Sequence, residues 1–253
     1  MRPLKVYIGY DQRESEAYDV AVDSLLRHAS RPVSITKLDI RLLEKHRLMR
    51  RPITRKDGRM WDTISCAPQS TEFAASRFLP PLLAQNGLAL FTDCDVVFLR
   101  DIYDMVREIE REAKALYVVK HDYRPTYREK MDGQIQTEYP RKNWSSVMLF
   151  DCDHPGNQRL NLDLVNTLPG RDLHRFCWLT DGEIGSLDGG WNWLVGEQPK
   201  PQYLGIAHFT LGGPWLSNWS EHEHDRIWKE AAEAKEMRSM WEGAFIPAAQ
   251  GYT

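Results

Sequence analysis

Apolar and polar positions follow two different periods along this chain. The run "LKVYIGYD" is β-branched and aromatic and stops at Gly9, which predicts a strand. From Glu14 to Ala29 the apolar residues Tyr18, Val22, Leu25 and Ala29 recur at helical spacing, which predicts a helix. "PVSITKLD" predicts a second strand, and a strand–helix–strand opening predicts a parallel sheet. Farther on, Ser70 to Leu79 reads as helical, with Pro80 and Pro81 ending or restarting it. Strands are predicted for "LALFT", with a second apolar run "VVFL" after residues 93–95, for "ALYVVK", for "SSVMLFD" and for "YLGIAHF". Helices are predicted near 101–112 and over Asn157 to Leu168, where Leu160, Leu164 and Leu168 share a face. Ser220 with Glu223 has the spacing of a capping box and predicts the opening of a long C-terminal helix over about 220–243.

Two features interrupt this pattern. Residues 41–59 carry eight Lys or Arg against two acids without a clear period, which reads as a solvated loop, or as an acceptor rim or contact with anionic lipid. Six of the nine tryptophans, Trp178, Trp191, Trp193, Trp215, Trp219 and Trp228, crowd the C-terminal third, where large aromatics suit a sugar-binding wall and a core equally. No internal repeat, low-complexity segment or linker breaks the chain, so a single mixed α/β domain over 1–253 is expected.

Composition excludes more than it selects. The chain has 253 residues, 42 % hydrophobic and 27 % charged, with a formal net charge of −3. That is long enough for a substantial core. It offers no global basic field to hold nucleic acid. "MRPLKVYIGY" turns polar at once, without a secretory apolar region, and no apolar run reaches membrane-spanning length. Cys66, Cys94, Cys152 and Cys177 are scattered without metal-ligand spacing, and buried reduced thiols in a cytoplasmic protein are the expectation.

The chemistry begins in "LALFTDCDVVFLRD". Asp93 and Asp95 follow an apolar run, where the carboxyl end of a strand binds ligands in an open α/β sheet. Residues two apart in extended chain point the same way, so both carboxylates would address one point. Two close carboxylates repel without a cation or proton between them, and oxygen ligands suit Mg2+ or Mn2+, which would typically also hold a diphosphate. Aspartates after strands are also ordinary turn formers, although charges framed by buried strands need a reason. The same D-x-D-x-V pattern matches the first motif of haloacid-dehalogenase-type phosphohydrolases, with Asp93 as nucleophile. That motif normally closes the first strand of its domain, and here a strand–helix unit precedes it.

Other segments fit around this pair. Gly9, Tyr10 and Asp11 lie between the first strand and helix, where glycine permits close backbone approach and a helix start favours phosphate. Asp11 would bond a base or ribose, or else Asp11 or Ser15 would cap the helix. Arg77 would pair with a phosphate, or with a structural carboxylate. In "HFTLGGPW", His208 would add a nitrogen ligand to the cation, and Gly212 and Gly213 would let backbone N–H groups reach phosphate oxygens.

In their order, "VYIGYD", "ASRFLPPLL", "FTDCDVVFL", "WSSVMLF", "LTDGEIGSL" and "HFTLGGPW" resemble the glycosyltransferases of family 8 and their bacterial relatives, over about Val6 to Trp215. The resemblance implies a GT-A-like α/β fold, a mostly parallel sheet flanked by helices. It implies a nucleotide-sugar donor, usually a UDP-sugar, transfer with retention, and a divalent cation, usually Mn2+, held by Asp93, Asp95 and His208. By motif position Gly9, Tyr10 and Asp11 would line the nucleotide, and Arg77 would touch the donor. Trp144, Ser145 and Ser146 would border the donor sugar, with Asp181 and Glu183 behind it as candidate catalytic carboxylates. Thr180-x-x-Glu183 is also a capping box, which makes Asp181 the stronger candidate for the sugar. Trp191, Trp193 and Trp215 would stack on sugar or acceptor, or pack in the core. The acceptor class would be a glycan or lipid-linked saccharide, met in the cytoplasm or peripherally at the inner membrane face. Four positions depart from the pattern. Gly213 stands where the family has a lysine, Trp144 where it has Asn, Ser146 where it has Gly, and Gly182 where an amide side chain is usual. The missing lysine also leaves room for a nucleotide-sugar-binding protein without turnover.

Overall fold

The computed structural model describes residues 3–109, 113–121, 141 and 143–244. In chain order the elements are β1 (Leu4–Gly9), α1 (Ser15–His28), β2 (Val33–Leu38), α2 (Ile40–Lys45), β3 (Ile53–Lys56), β4 (Arg59–Asp62), β5 (Ala67–Pro68), α3 (Pro80–Ala84), β6 (Leu88–Thr92) and β7 (Val96–Phe98). They continue with α4 (Ile102–Glu108), β8 (Leu116–Val118), β9 (Val147–Asp151), α5 (Leu162–Thr167), α6 (Gly170–His174), β10 (Ile184–Ser186), β11 (Trp193–Leu194), β12 (Ile206–His208) and α7 (Asp225–Ala244).

The central sheet has the order β10-β8-β9-β6-β1-β2. β9 alone is antiparallel to its neighbours β6 and β8, and the other pairs are parallel. This is the mostly parallel sheet that the alternation of strand and helix patterns predicts. Val6, Ile8, Leu90, Phe91, Leu116, Val118, Met148 and Phe150 are all fully buried, as expected for strands covered on both faces. A smaller sheet, β11-β12-β7, continues from the end of β6. It is held by a second apolar cluster of Val20 from α1, Val97, Trp193, Phe209 and Trp228 from α7. Burying each such side chain contributes about 1.5–3 kcal/mol. That cluster locks the strand bearing His208 to the chain that follows Asp95.

Several local readings change. Residues 70–79 do not form a helix. They make turns and one 3-10 turn over Ser76–Phe78, and α3 starts at Pro80. Proline suits a first helical position because its missing N–H would have had no partner there. The basic stretch 41–59 is not a plain loop, since it supplies most of α2 and the β3–β4 hairpin. In 157–168 a 3-10 turn, Pro155–Arg159, precedes α5, and Asn161 caps α5 by accepting from Leu164 N–H. α7 begins at Asp225, not at the Ser220–Glu223 box, and Asp225 Oδ2 accepts from His222 N–H. The predicted helix near 101–112 ends at Glu108, and 110–112 lie outside the described residues. All four cysteines are free thiols, with Cys94 and Cys152 buried and Cys66 and Cys177 exposed. Among the described residues no helix is long and apolar enough to cross a membrane.

Candidate functional site

Strand register brings distant segments to one edge of the sheet. Ile8 pairs with Thr92, and Thr92 pairs with Val147. The residues that follow β1 and β6 and those that precede β9 therefore lie side by side. These are Gly9–Asp11, Asp93–Asp95 and Trp144–Ser146, and Asp93 N–H donates to Ser146 O at 3.0 Å. The second sheet brings in the last partner. β12 runs antiparallel to β7 with His208 opposite Val96, and Phe209 N–H donates to Asp95 O at 2.9 Å.

Asp93, Asp95 and His208 consequently converge, with one ligand atom from each lying within 4.8 Å of the others. His208 Nε2 is 3.2 Å from Asp95 Oδ1 and 4.0 Å from Asp93 Oδ2. The three side chains are all but buried. Two carboxylates and one imidazole are a donor set for a divalent cation of the Mg2+ or Mn2+ class with one nitrogen ligand. β1, not β6, opens the chain's sheet, so Asp93 does not occupy the nucleophile's place in the phosphohydrolase reading.

The surroundings hold these ligands in place. Arg77 is buried, pairs with Asp93 Oδ1 at 3.1 Å and donates to Ser145 O at 3.0 Å. It thus holds a carboxylate of this chain, one of the two partners its sequence position offered. Ser145 Oγ lies 2.7 Å from His174 Nδ1. Burial, and then the charge of Arg77, push His174 down to about 3, so it is neutral. Asn192 Oδ1 accepts from His208 Nδ1 at 2.9 Å. His121 lies 3.0 Å from Asn192 Nδ2, and burial, followed by the nearby His208, pushes it down to about 4. Glu14, at the start of α1, accepts from Cys94 Sγ at 3.6 Å. Burial, then the charges of Asp95 and Asp11, push Glu14 up to about 8.

Sequence reading did not single out Glu14, His121, His174 or Asn192. Asn192 alone left a signal, as one polar residue inside the aromatic run "WNWL". A buried carboxamide must be bonded, so it marks a network.

The remaining predicted residues fall in several places. Gly9 is required by the Phe73 ring, whose nearest atoms lie 2.5 Å from where a Cβ would sit. Tyr10 packs edge-on against Tyr18 at 5.3 Å, with Lys37 Nζ 4.1 Å from its ring centroid. Asp11 is fully buried and caps the 3-10 turn Gln12–Glu14 that leads into α1, not α1 itself. It accepts from Arg13 N, Nε and a terminal nitrogen at 3.0, 3.0 and 2.7 Å, and from Glu72 N at 3.1 Å. Burial alone would raise its pKa, but the bonds from Arg13 outweigh burial and hold it below the usual range. Trp144 donates to His121 O at 3.1 Å, and Ser146 Oγ to Asn143 O at 2.8 Å. Gly212 has φ +108° in a turn whose N–H is used by Phe209 O at 2.8 Å, so that N–H is not directed at a phosphate. A Cβ on Gly213 would lie 2.1 Å from the Trp215 ring. Trp191 and Trp193 are core residues, bonded to Glu108 and to Gln198 O.

Asp181 and Glu183 are not among the residues whose ligand atoms converge with Asp93, Asp95 and His208. Ala115 N–H donates to Glu183 O, and the register Ile184–Leu116–Phe150–Ala89 sets this level at the start of β6, not its end. The Glu183 backbone is thus the length of β6 and three strand spacings from Asp93, about 20 Å. Glu183 completes the Thr180 capping box and pairs with Arg159, and those bonds hold it down to about 2. Asp181 is exposed and pairs with Arg141.

No family model matches the chain. In sequence it is similar to protein CDI of Arabidopsis thaliana, 41 % identical over 239 residues, which is 92 % of this chain and 87 % of that protein. In structure it is similar to the glycosyltransferase GlyE of Streptococcus pneumoniae TIGR4, with a TM-score of 0.55 and 15 % identity over 99 % of this chain. The chain spans 66 % of the length of GlyE. It is also similar to the galactosyltransferase LgtC, solved with donor and acceptor sugar analogues, with a TM-score of 0.51 and 11 % identity over 93 % of this chain and 99 % of LgtC. Mouse xyloside xylosyltransferase 1 gives a TM-score of 0.50 and 13 % identity over 82 % of this chain and 97 % of that one. At these identities the likeness is one of fold, and the fold is GT-A.

Proposed function

This chain belongs to the family of Arabidopsis protein CDI, and from its fold and its edge cluster we propose that it is a divalent-metal-dependent glycosyltransferase. The donor is a nucleotide-diphospho-sugar of the UDP type, the acceptor a glycan or lipid-linked saccharide, and the sugar is transferred with retention. The observation that carries the reading is the convergence of Asp93, Asp95 and His208 within 4.8 Å at the carboxyl end of β6. This is the place where open α/β sheets bind nucleotides.

The residues present fit a cation. Asp93, Asp95 and His208 would hold Mn2+ or Mg2+, and such an ion, when bound, supplies Lewis-acid stabilisation of a leaving diphosphate. The protein's own part is positional. Arg77 fixes Asp93 against the Ser145 carbonyl, and the Phe209–Asp95 backbone bond fixes the second ligand. Burial excludes water from the ligand atoms and strengthens their charges. Glu183, whose backbone is about 20 Å off by strand geometry, has no part in this reading. No lysine follows Gly212, and Trp215 fills the space beside Gly213. The protein works in the cytoplasm, with at most peripheral membrane contact.

The test is incubation of purified protein with a panel of UDP-sugars and saccharide acceptors, with Mn2+ or with EDTA, following UDP, free sugar and phosphate. Release of UDP that needs both Mn2+ and an acceptor is the expected result. Phosphate released without an acceptor would mark a phosphohydrolase. Tight UDP binding with no sugar consumed would mark a binding protein. Absence of both Mn2+ binding and donor consumption overturns the proposal.

A further inference from the structure

Asn192 is fully buried at the end of the 3-10 turn Gly189–Asn192, just before β11 and between Trp191 and Trp193. Its carboxamide is bonded on both sides. Oδ1 lies 2.9 Å from His208 Nδ1, while Nδ2 lies 2.9 Å from Ser146 Oγ, 3.0 Å from His121 Nε2 and 3.3 Å from Asn143 O. The Asn143 carbonyl can only accept, so the amide nitrogen must face it and the amide oxygen must face His208. An amide oxygen also only accepts, so His208 Nδ1 carries a proton. His208 Nε2 is then the nitrogen that faces the aspartates, 3.2 Å from Asp95 Oδ1.

We propose that Asn192 is the positioning residue that decides which nitrogen of His208 carries the proton, and so presets Nε2 as a ligand toward Asp93 and Asp95. The inference rests on the metal reading above and adds a determinant to it. Without the carboxamide, a neutral His208 would place its proton on Nε2, where the Asp95 carboxylate is within hydrogen-bond reach. That proton would occupy the direction a cation needs. Ser146 and His121 act one step farther out, because they hold the amide in its orientation. They tie β9 and the end of β8 to a ligand on β12. A carbonyl or carboxylate bonded to the far nitrogen of a ligating histidine typically changes metal affinity by about 10–100-fold.

Two measurements test this. In metal-free protein labelled with 15N-histidine, wild type is expected to show a slowly exchanging His208 Nδ1–H proton, assigned by its loss in His208→Gln. Its absence in wild type overturns the proposal without any variant. The second measurement is Mn2+ affinity, read by electron paramagnetic resonance. Asn192→Leu is expected to weaken binding about 10–100-fold and to abolish the Nδ1–H signal. Asn192→Asp keeps an acceptor oxygen toward His208 and is expected to retain the Nδ1–H signal. If Asn192→Leu does not fold, Asn192→Ala, which adds no branch toward Ser146, takes its place. Wild-type binding that is unchanged in a folded Asn192→Leu or Asn192→Ala, or an Nδ1–H signal absent from a folded Asn192→Asp, overturns the positioning role alone. A wild-type protein that binds no Mn2+ overturns the metal reading itself.

Discussion

At the scale of single residues, the site is defined by what each buried charge is paired with. Asp95 faces His208, and its charge helps push Glu14 up to about 8. Asp95→Asn removes one ligand and one negative charge at once. Mn2+ affinity is expected to fall at least tenfold and Mn2+-dependent turnover about a hundredfold or more, magnitudes ordinary for loss of a metal-site contact. The melting temperature of the metal-free protein is expected to hold or rise, because like charges in the cluster are relieved. Turnover equal to wild type would remove Asp95 from the ligand set. His174 gives a second test, independent of metal. Its folded pKa is depressed to about 3 from the ordinary 6.5 of histidine, so between those values the unfolded chain binds the extra proton. Its contribution is complete above pH 6.5 and is lost as pH falls toward 3. At pH 5 the loss relative to pH 7 is about 2 kcal/mol from this group. Urea unfolding at the two pH values measures it, and His174→Gln should flatten the difference by about that amount.

At the scale of elements, the strands and the turns between them were legible to different degrees. β1, α1, β2, β6, β8, β9 and β12 all fall within runs whose periodicity is plain, and α1 ends within one residue of its apolar pattern. The edge cluster was legible because D-x-D terminates an apolar run and a histidine terminates another. The acidic segment at 181–183 was legible as a motif but not as a location. Sequence order cannot show that β10 starts, rather than ends, at the level of the Glu183 backbone. Segment 70–79 misled because apolar residues at helical spacing also suit a turn whose Phe73 and Phe78 enter the core. The His208 loop shows how one element constrains a substitution. A lysine at 213 would bring its Cβ 2.1 Å from Trp215, which packs on Phe209 and Trp228 at centroid distances of 6.0 and 5.5 Å. Gly213→Lys is therefore expected to destabilise the fold by about 1–3 kcal/mol, the range for overpacking, and to give no gain in turnover. A shifted urea midpoint with unchanged slope would confirm the first part. A gain in turnover at wild-type stability would show that Trp215 yields and that the site lacks only the cation.

At the scale of the whole molecule, the net charge of −3 hides an uneven distribution. Asp11, Glu14, Asp93 and Asp95 crowd one edge of the sheet, where Arg13 engages Asp11 and Arg77 engages Asp93. Burial first, and then the charges of Asp95 and Asp11, raise Glu14 to about 8, so this edge also carries carboxylate repulsion. A fold that keeps carboxylates this close stores repulsion that a bound dication relieves, and the relief must appear as stability. A ligand that binds only the native state stabilises it by about 2.7 kcal/mol at a hundred times its dissociation constant. For a chain of this size each kcal/mol corresponds to about 2–4 °C, so saturating Mn2+ is expected to raise the melting temperature by about 5–10 °C. EDTA should reverse the shift. NaCl at matched ionic strength should not reproduce it, because screening acts weakly on a buried cluster. Asp95→Asn should abolish most of it while the variant remains folded. A wild-type melting curve indifferent to Mn2+ across a hundredfold range of concentration would mean that the crowded edge is neutralised from within by protons and the two arginines.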